Sequence, residues 1–431
     1  MQDARWLALA APGLIFAGHA FYGAMLPKTA LTLALLAALT LAGAALAPGL
    51  RRDLDRLRPP LLPAAAFALV LLMALWSLTP FAPGGPHPVW DYVDAGTAAT
   101  TVDKSQTLLE FTKLLGLAAV FGLGLALGGS DSRARAGANT IVAFGAALAA
   151  WSFLDWAGGD LDRGVGRHRL EGPFEAANTS ATLFGVLLVL TLGLAASAVR
   201  GAPPGRRLTA MAPFLAAALL FLFSLIATAS RAGLASTAAG LAVFVGLQLF
   251  GRRQAWPRAA LLALAGLALL AGAIFVGGDV LVDRFLEDDL AEDGRAMLFQ
   301  AHWDAFKAAP WLGYGLGSFD LVNRLILNAG NIEEIWATRA AHNVYVTWLE
   351  QGGVLGAAPM FACVGALIWT SLQGTLRRSR LTSPLYGLLA ANVVFLVHGA
   401  FDFALETYSM AALWSLLLGL QFAASQGRPR R

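Results

Sequence analysis

Charge is what this sequence has least of. Asp, Glu, Lys and Arg make up 13% of its 431 residues, about half the usual share of a globular chain, so a soluble enzyme is excluded. Cysteine is nearly absent. The single Cys363 rules out an internal disulfide and, set in an apolar run, reads as a packing residue that says nothing of redox compartment. Tandem repeats, coiled-coil heptads and low-complexity tails are missing too, so one membrane domain spanning 1–431 suffices. Apolar length is abundant instead. Hydrophobic residues reach 57% and mean hydropathy is +0.63, in repeated runs of about 20 residues, each enough to cross a bilayer core. The expected fold class is all-α, a polytopic integral membrane protein.

Twelve spans are predicted, at 6–26, 29–48, 61–80, 107–127, 138–157, 178–199, 210–229, 232–250, 259–276, 346–373, 384–402 and 408–424. Every second link is rich in arginine: Arg51 to Arg58, Arg133/Arg135, Arg200 to Arg207, Arg252 to Arg258, Arg377 to Arg380 and Arg428 to Arg431. By the positive-inside rule those links are cytoplasmic, with both termini inside. Nineteen of the 31 Lys and Arg fall there, counting Arg5, against four acids, Asp3, Asp53, Asp55 and Asp131. The net charge of +4 therefore reports topology more than an anionic partner. The first run is long for a secretory h-region, and its removal would leave the later parity unchanged, so it reads as a retained span.

Three outward regions hold chemistry. In 158–180, Arg163, Arg167, His168 and Arg169 interrupt an acidic side; they suit either an anion or local ion pairs with Asp160, Asp162 and Glu171. Asp160 and Asp162 also form a D-x-D, weak grounds for a divalent cation. Arg231 is the one charge between Ala210 and Phe250, 41 residues, or about two crossings. It therefore tips an external hairpin, where a guanidinium either snorkels or grips phosphate oxygens in fork geometry.

The third region, 277–342 and the start of the next span, is the largest outward loop and the most polar long stretch. A helix is expected from Asp293 or Gly294 with Arg295, Phe299, His302 and Phe306 on one face, ended by Pro310. The glycines after Trp311 read as a tight turn against the membrane, since no strand precedes them and no Lys-Ser/Thr follows. Arg339, His342 and Asn343 come just before a span that Glu350 enters two turns later. On spacing alone His342 reads as either a packing histidine or a catalyst.

Taken together, Ser230-Arg231-Ala-Gly, Arg295…Trp303…Pro310-Trp-Leu-Gly-Tyr-Gly-Leu-Gly-Ser-Phe319 and Ala341-His342-Asn343…Glu350-Gln-Gly-Gly-Val-Leu-Gly356 resemble the O-antigen ligase and Wzy-type polymerase superfamily. Gly172-Pro-Phe…Asn178 and His398-Gly-Ala-Phe-Asp402 look like two further family elements, over about 165–405 in all. The first lacks the family's proline and one asparagine. The resemblance implies short loop helices over an outward-facing cavity and a metal-independent, inverting glycosyltransferase of the bacterial inner membrane with a periplasmic site. Its donor would be an undecaprenyl-diphosphate-linked glycan, and its acceptor either lipid A-core, in a ligase, or a second lipid-linked glycan, in a polymerase. No cofactor and no nucleic acid are implied. By carry-over Arg231 and Arg295 would hold the diphosphate, and His342 would take the acceptor's proton. Arg169, Arg339, Asn343, Glu350 and His302 follow as substrate contacts or orienting groups. A transporter or flippase of a lipid-linked sugar is the reading of another class. It suits the charges less, since they gather at the outer edge and not at the midplane.

Overall fold

The computed structural model describes residues 6–92, 98–158, 169–250 and 289–427. Its regular structure is helical. In chain order the α-helices are α1 (Trp6–Ala20), α2 (Pro27–Ala45), α3 (Pro48–Leu54), α4 (Leu61–Ser77), α5 (Lys104–Gly128), α6 (Asp131–Gly158), α7 (Ala177–Gly201), α8 (Arg207–Ala227), α9 (Arg231–Phe250), α10 (Asp289–Ala308), α11 (Phe319–Leu325), α12 (Ile332–Ile335), α13 (Val344–Arg377), α14 (Thr382–His398) and α15 (Tyr408–Ser425). Among the described residues eight of these, α2, α5 to α9, α13 and α15, are long and apolar enough to cross a membrane; α1, α4 and α14 are apolar but shorter. Eleven of the twelve expected spans thus have a helix, and 259–276 lies outside the described residues.

The bundle is built around α7 and α15, both buried along most of their length. Lipid tails are as apolar as leucine, so helices associate through close packing and a few polar contacts. Both are present. A Cβ on Gly419 would collide with Phe121 O, so α15 and α5 approach closer than a side chain at this position allows. Trp414 Nε1 donates to Asn392 Oδ1 at 2.8 Å, and Asn392 Nδ2 donates to Gln421 Oε1 at 2.7 Å, tying α14 to α15 inside the apolar interior.

The arginine-rich links are structural at one end of the bundle. Arg133, 3% exposed, pairs with Asp53 at 2.7 Å, and Arg378, 2% exposed, pairs with Asp131 at 2.5 Å. Burying a guanidinium is tolerable only with such a partner, which accounts for two of the four acids on that side.

At the other end α13 is broken. Its 34 residues exceed one crossing, and Gly353 (φ 56°, ψ −170°) divides it, in a region of backbone space that is essentially glycine's own. The segment after Pro310 replaces the lost helical bonds. Val354 N donates to Pro310 O and Leu355 N to Trp311 O, while the freed carbonyls of Glu350 and Gln351 accept from Tyr314 N and Gly315 N, all at 2.8–3.0 Å. The glycine segment is therefore a tight turn, as expected, but it packs against protein rather than membrane.

Several expected boundaries shift, among them the end of the first span, at Ala20 and not 26, and the start of the fifth, at Asp131 and not 138. α10 is already helical at Asp289, the first described residue of its stretch, so the helix extends upstream of Asp293 and Gly294. Its buried face is Leu298, His302 and Ala305; of the expected stripe His302 is buried, Phe306 half-buried and Phe299 exposed, with Phe299, Trp303 and Phe306 packed on one another. The span expected over 384–402 stops at His398, which leaves Asp402 in an irregular link where its carboxylate can be buried and hydrogen-bonded.

Candidate functional site

Three helix starts assemble the site. α7, α9 and α13 each follow a non-glycine residue in the left-handed region, two positions before the helix: Glu175 (φ 50°), Ala229 (φ 46°) and His342 (φ 51°). Such conformations cost about 1–3 kcal/mol each and concentrate where a site needs them. Here each turns the chain sharply into its helix. Ser230 Oγ accepts from Gly233 N at 3.1 Å, and Asn343 Oδ1 accepts from Tyr345 N and Val346 N at 3.0 and 3.1 Å, so two of the starts are side-chain capped.

One chain of contacts runs through these starts. Arg169 Nε donates to Thr228 O at 2.7 Å and its Nη2 to Asn178 Oδ1 at 2.9 Å; Asn178 Nδ2 donates to Asp402 Oδ1 at 3.3 Å. Asp402, fully buried, faces His342 Nδ1 at 3.6 Å. That separation is an electrostatic pairing, too long for a hydrogen bond. His342 Nδ1 is itself buried while its side chain is 29% exposed, so the accessible edge of the ring carries Nε2. Phe403 meets the ring edge-on with centroids 5.0 Å apart. A buried carboxylate thus stands beside the inner nitrogen of an imidazole whose other nitrogen is accessible.

Arg231 is the first residue of α9 and partly buried. Arg295 lies in the second turn of α10. Arg339 is exposed in the link between α12 and α13. Arg169 has its guanidinium engaged by Thr228 and Asn178, and Asn343 caps α13 while donating to Ala400 O at 3.0 Å. Both hold the frame of the site.

His302 and Glu350 meet each other in a second cluster, fully buried. His302 Nδ1 lies 3.0 Å from Glu350 Oε1 and its Nε2 3.2 Å from Asn323 Oδ1, with Phe319 stacked on the ring. The Asn323 amide is oriented by its Nδ2, which donates to Ile335 O at 2.8 Å. Its oxygen therefore faces His302, so Nε2 carries the hydrogen, and one proton is shared between Nδ1 and the Glu350 carboxyl. The pair bolts α10 and α11 to the short outer piece of α13. Glu350→Ala should cost about 3 kcal/mol, the scale of a buried polar group stripped of its partner, seen as a lower thermal midpoint in detergent; Glu350→Gln, which can still donate to Nδ1, should lose less than half as much.

Asp402, Asn178 and Glu406 were not singled out from sequence as site residues. The signal was an acid pair, Asp402 and Glu406, at the mouth of an apolar span, which is a functional flag by default. Glu406 accepts from Thr347 Oγ1 at 2.9 Å. Burial, reinforced by Asp402 and Glu110, pushes its carboxyl from 4.5 up to about 8. Between those values the folded chain keeps a proton that the unfolded chain has released, so stability falls as pH rises from 5 to 8. The thermal midpoint should follow that slope, level off above pH 8, and lose the slope in Glu406→Gln.

Among the described residues no three His, Cys, Asp or Glu side chains converge to hold a metal ion, and Asp160/Asp162 lies outside them.

Residues 216–361 match the family model described as O-Antigen ligase (Wzy_C). That segment is thus similar to the O-antigen ligase family, and it contains Arg231, Arg295, His302, Arg339, His342, Asn343 and Glu350. No curated protein matches the chain significantly.

Proposed function

We propose, from that similarity as premise, that the chain is a metal-independent, inverting glycosyltransferase moving a glycan from undecaprenyl diphosphate to a lipid A-core hydroxyl. The observation that carries the proposal is His342, with Nε2 on its accessible edge and buried Asp402 behind Nδ1. The acceptor oxygen attacks the anomeric carbon as the bond to diphosphate breaks. The acceptor's proton passes to His342 Nε2, and the charge gained by the diphosphate is met by Arg231 and Arg295. Diphosphate is already a good leaving group, so charge neutralisation is the main demand on the protein. The positive ends of α7, α9 and α13 favour the same charge.

The test is to incubate the purified protein with an undecaprenyl-diphosphate glycan and either lipid A-core or a second lipid-linked glycan, with and without EDTA. Release of undecaprenyl diphosphate and glycosylated lipid A-core is the expected result, unchanged by chelation. A ladder from lipid-linked glycan alone would make the protein a polymerase. Transport of the donor without its cleavage would overturn the enzyme reading.

In this reading the protein sits in a bacterial inner membrane, with the arginine-rich links in the cytoplasm and the His342 end in the periplasm. Cysteines at the exposed positions Ser105 and Glu333 should then label from the periplasm, and those at Arg56, Arg206 and Arg380 should not. Labelling of the second group from outside would invert the orientation.

A further inference from the structure

At the arginine-rich end of the bundle, away from His342, the starts of α6 and α14 and the last turn of α7 enclose a groove of about 820 Å³. Arg135, Arg200 and Arg380 line it, with the polar side chains of Asn139 and Ser383 between them. The one carboxylate among the described lining residues, Asp131, already accepts from Arg378 Nη2.

The arginines at this end therefore divide into two kinds. Arg133 and Arg378 are buried and each is spent on an aspartate, closing links between helices. Arg135, Arg200 and Arg380 are exposed and face a common space. Arg200 is oriented by Ala196 O at 3.0 Å and Gln248 Oε1 at 3.5 Å, and Gln248 Nε2 donates to Ser383 Oγ at 3.0 Å, so Gln248 of α9 ties the lining residues of α7 and α14 together. α6 and α14 both begin at the groove and add the positive ends of two helix dipoles.

That combination selects phosphate oxygens. The volume falls in the range of ligand pockets of about 300–1,000 Å³. The groove opens where the helices leave the apolar layer, and Leu376, four residues before Arg380, is exposed beside the link. A ligand with a phosphate head and apolar tails meets both surfaces at once, and basic pockets between spans on the arginine-rich side suit such headgroups. We propose that this groove binds the headgroup of an anionic phospholipid from the leaflet on the arginine-rich side.

The experiment uses the full chain in phosphatidylcholine nanodiscs doped with spin-labelled phosphatidylglycerol or spin-labelled phosphatidylcholine, measuring the motionally restricted fraction of each. Wild type should prefer phosphatidylglycerol, each arginine contributing about fivefold near the surface, and added salt should weaken the preference. Arg135→Gln, Arg200→Gln and Arg380→Gln should each lower the preference, and the triple variant should approach the unselective ratio. Three outcomes overturn the proposal. They are no preference in wild type, a preference unchanged in the single variants, or displacement of the lipid by millimolar inorganic phosphate, which would make the groove a soluble-anion site. The single variants keep the test decisive should the triple variant fold poorly.

Discussion

His342→Ala should bind the lipid-linked donor nearly as wild type does while turnover falls roughly 10²–10⁴-fold, the range for a lost general base. The split follows from the geometry. His342 stands at the head of α13 with Asp402 behind it and one ring edge accessible, whereas the diphosphate is assigned to residues on α9 and α10. Removing the imidazole leaves the donor's contacts in place and takes away the acceptor of the proton. Asp402→Asn should lower kcat with little change in donor affinity, because the amide keeps the shape but cannot offset a positive ring. Single-turnover kinetics and donor binding on folded, equally expressed protein decide the matter. A wild-type rate in His342→Ala refutes the assignment, and a weakened donor affinity instead makes His342 a phosphate ligand.

Arg231→Ala should cost about 10²–10³-fold in turnover, the scale for one lost donor to a developing oxyanion. Arg231→Lys is the sharper test. It keeps the charge but loses the planar fork, and an ammonium cannot make two parallel bonds to a phosphate. Much of the loss should therefore persist in the lysine variant, and Arg295→Ala should behave like Arg231→Ala. Unchanged donor binding and turnover in all of them would make these residues anchors at the membrane edge. The search for the diphosphate site would then move to Arg339, which is exposed, since the Arg169 guanidinium already donates to Thr228 and Asn178.

The helical spans were legible in the sequence because hydropathy is a local signal. An apolar run must be helical in lipid, where each backbone group has to be satisfied within its own segment, and the helices lie where the runs are. What escaped was decided by contacts distant in sequence. Asp402 meets Asn178 across 224 positions, and His302 meets Glu350 across 48; no periodicity encodes either. His302 read as a contact group on an amphipathic face, and only the Asn323 amide beside it shows why it is buried. The end of α14 was missed because Gly-Ala-Phe after His398 continues the apolar run without a break in composition. The family match is confined to 216–361, narrower than the 165–405 over which the resemblance was drawn.

The break at Gly353 also makes the shape of α13 depend on another part of the chain. The backbone groups of Glu350, Gln351, Val354 and Leu355 are completed by Pro310, Trp311, Tyr314 and Gly315, and in a bilayer each left incomplete would cost several kcal/mol. α13 therefore cannot settle into its bent form on its own. The bend, and with it the place of His342, is thus set only where the 310–315 segment closes against the helix.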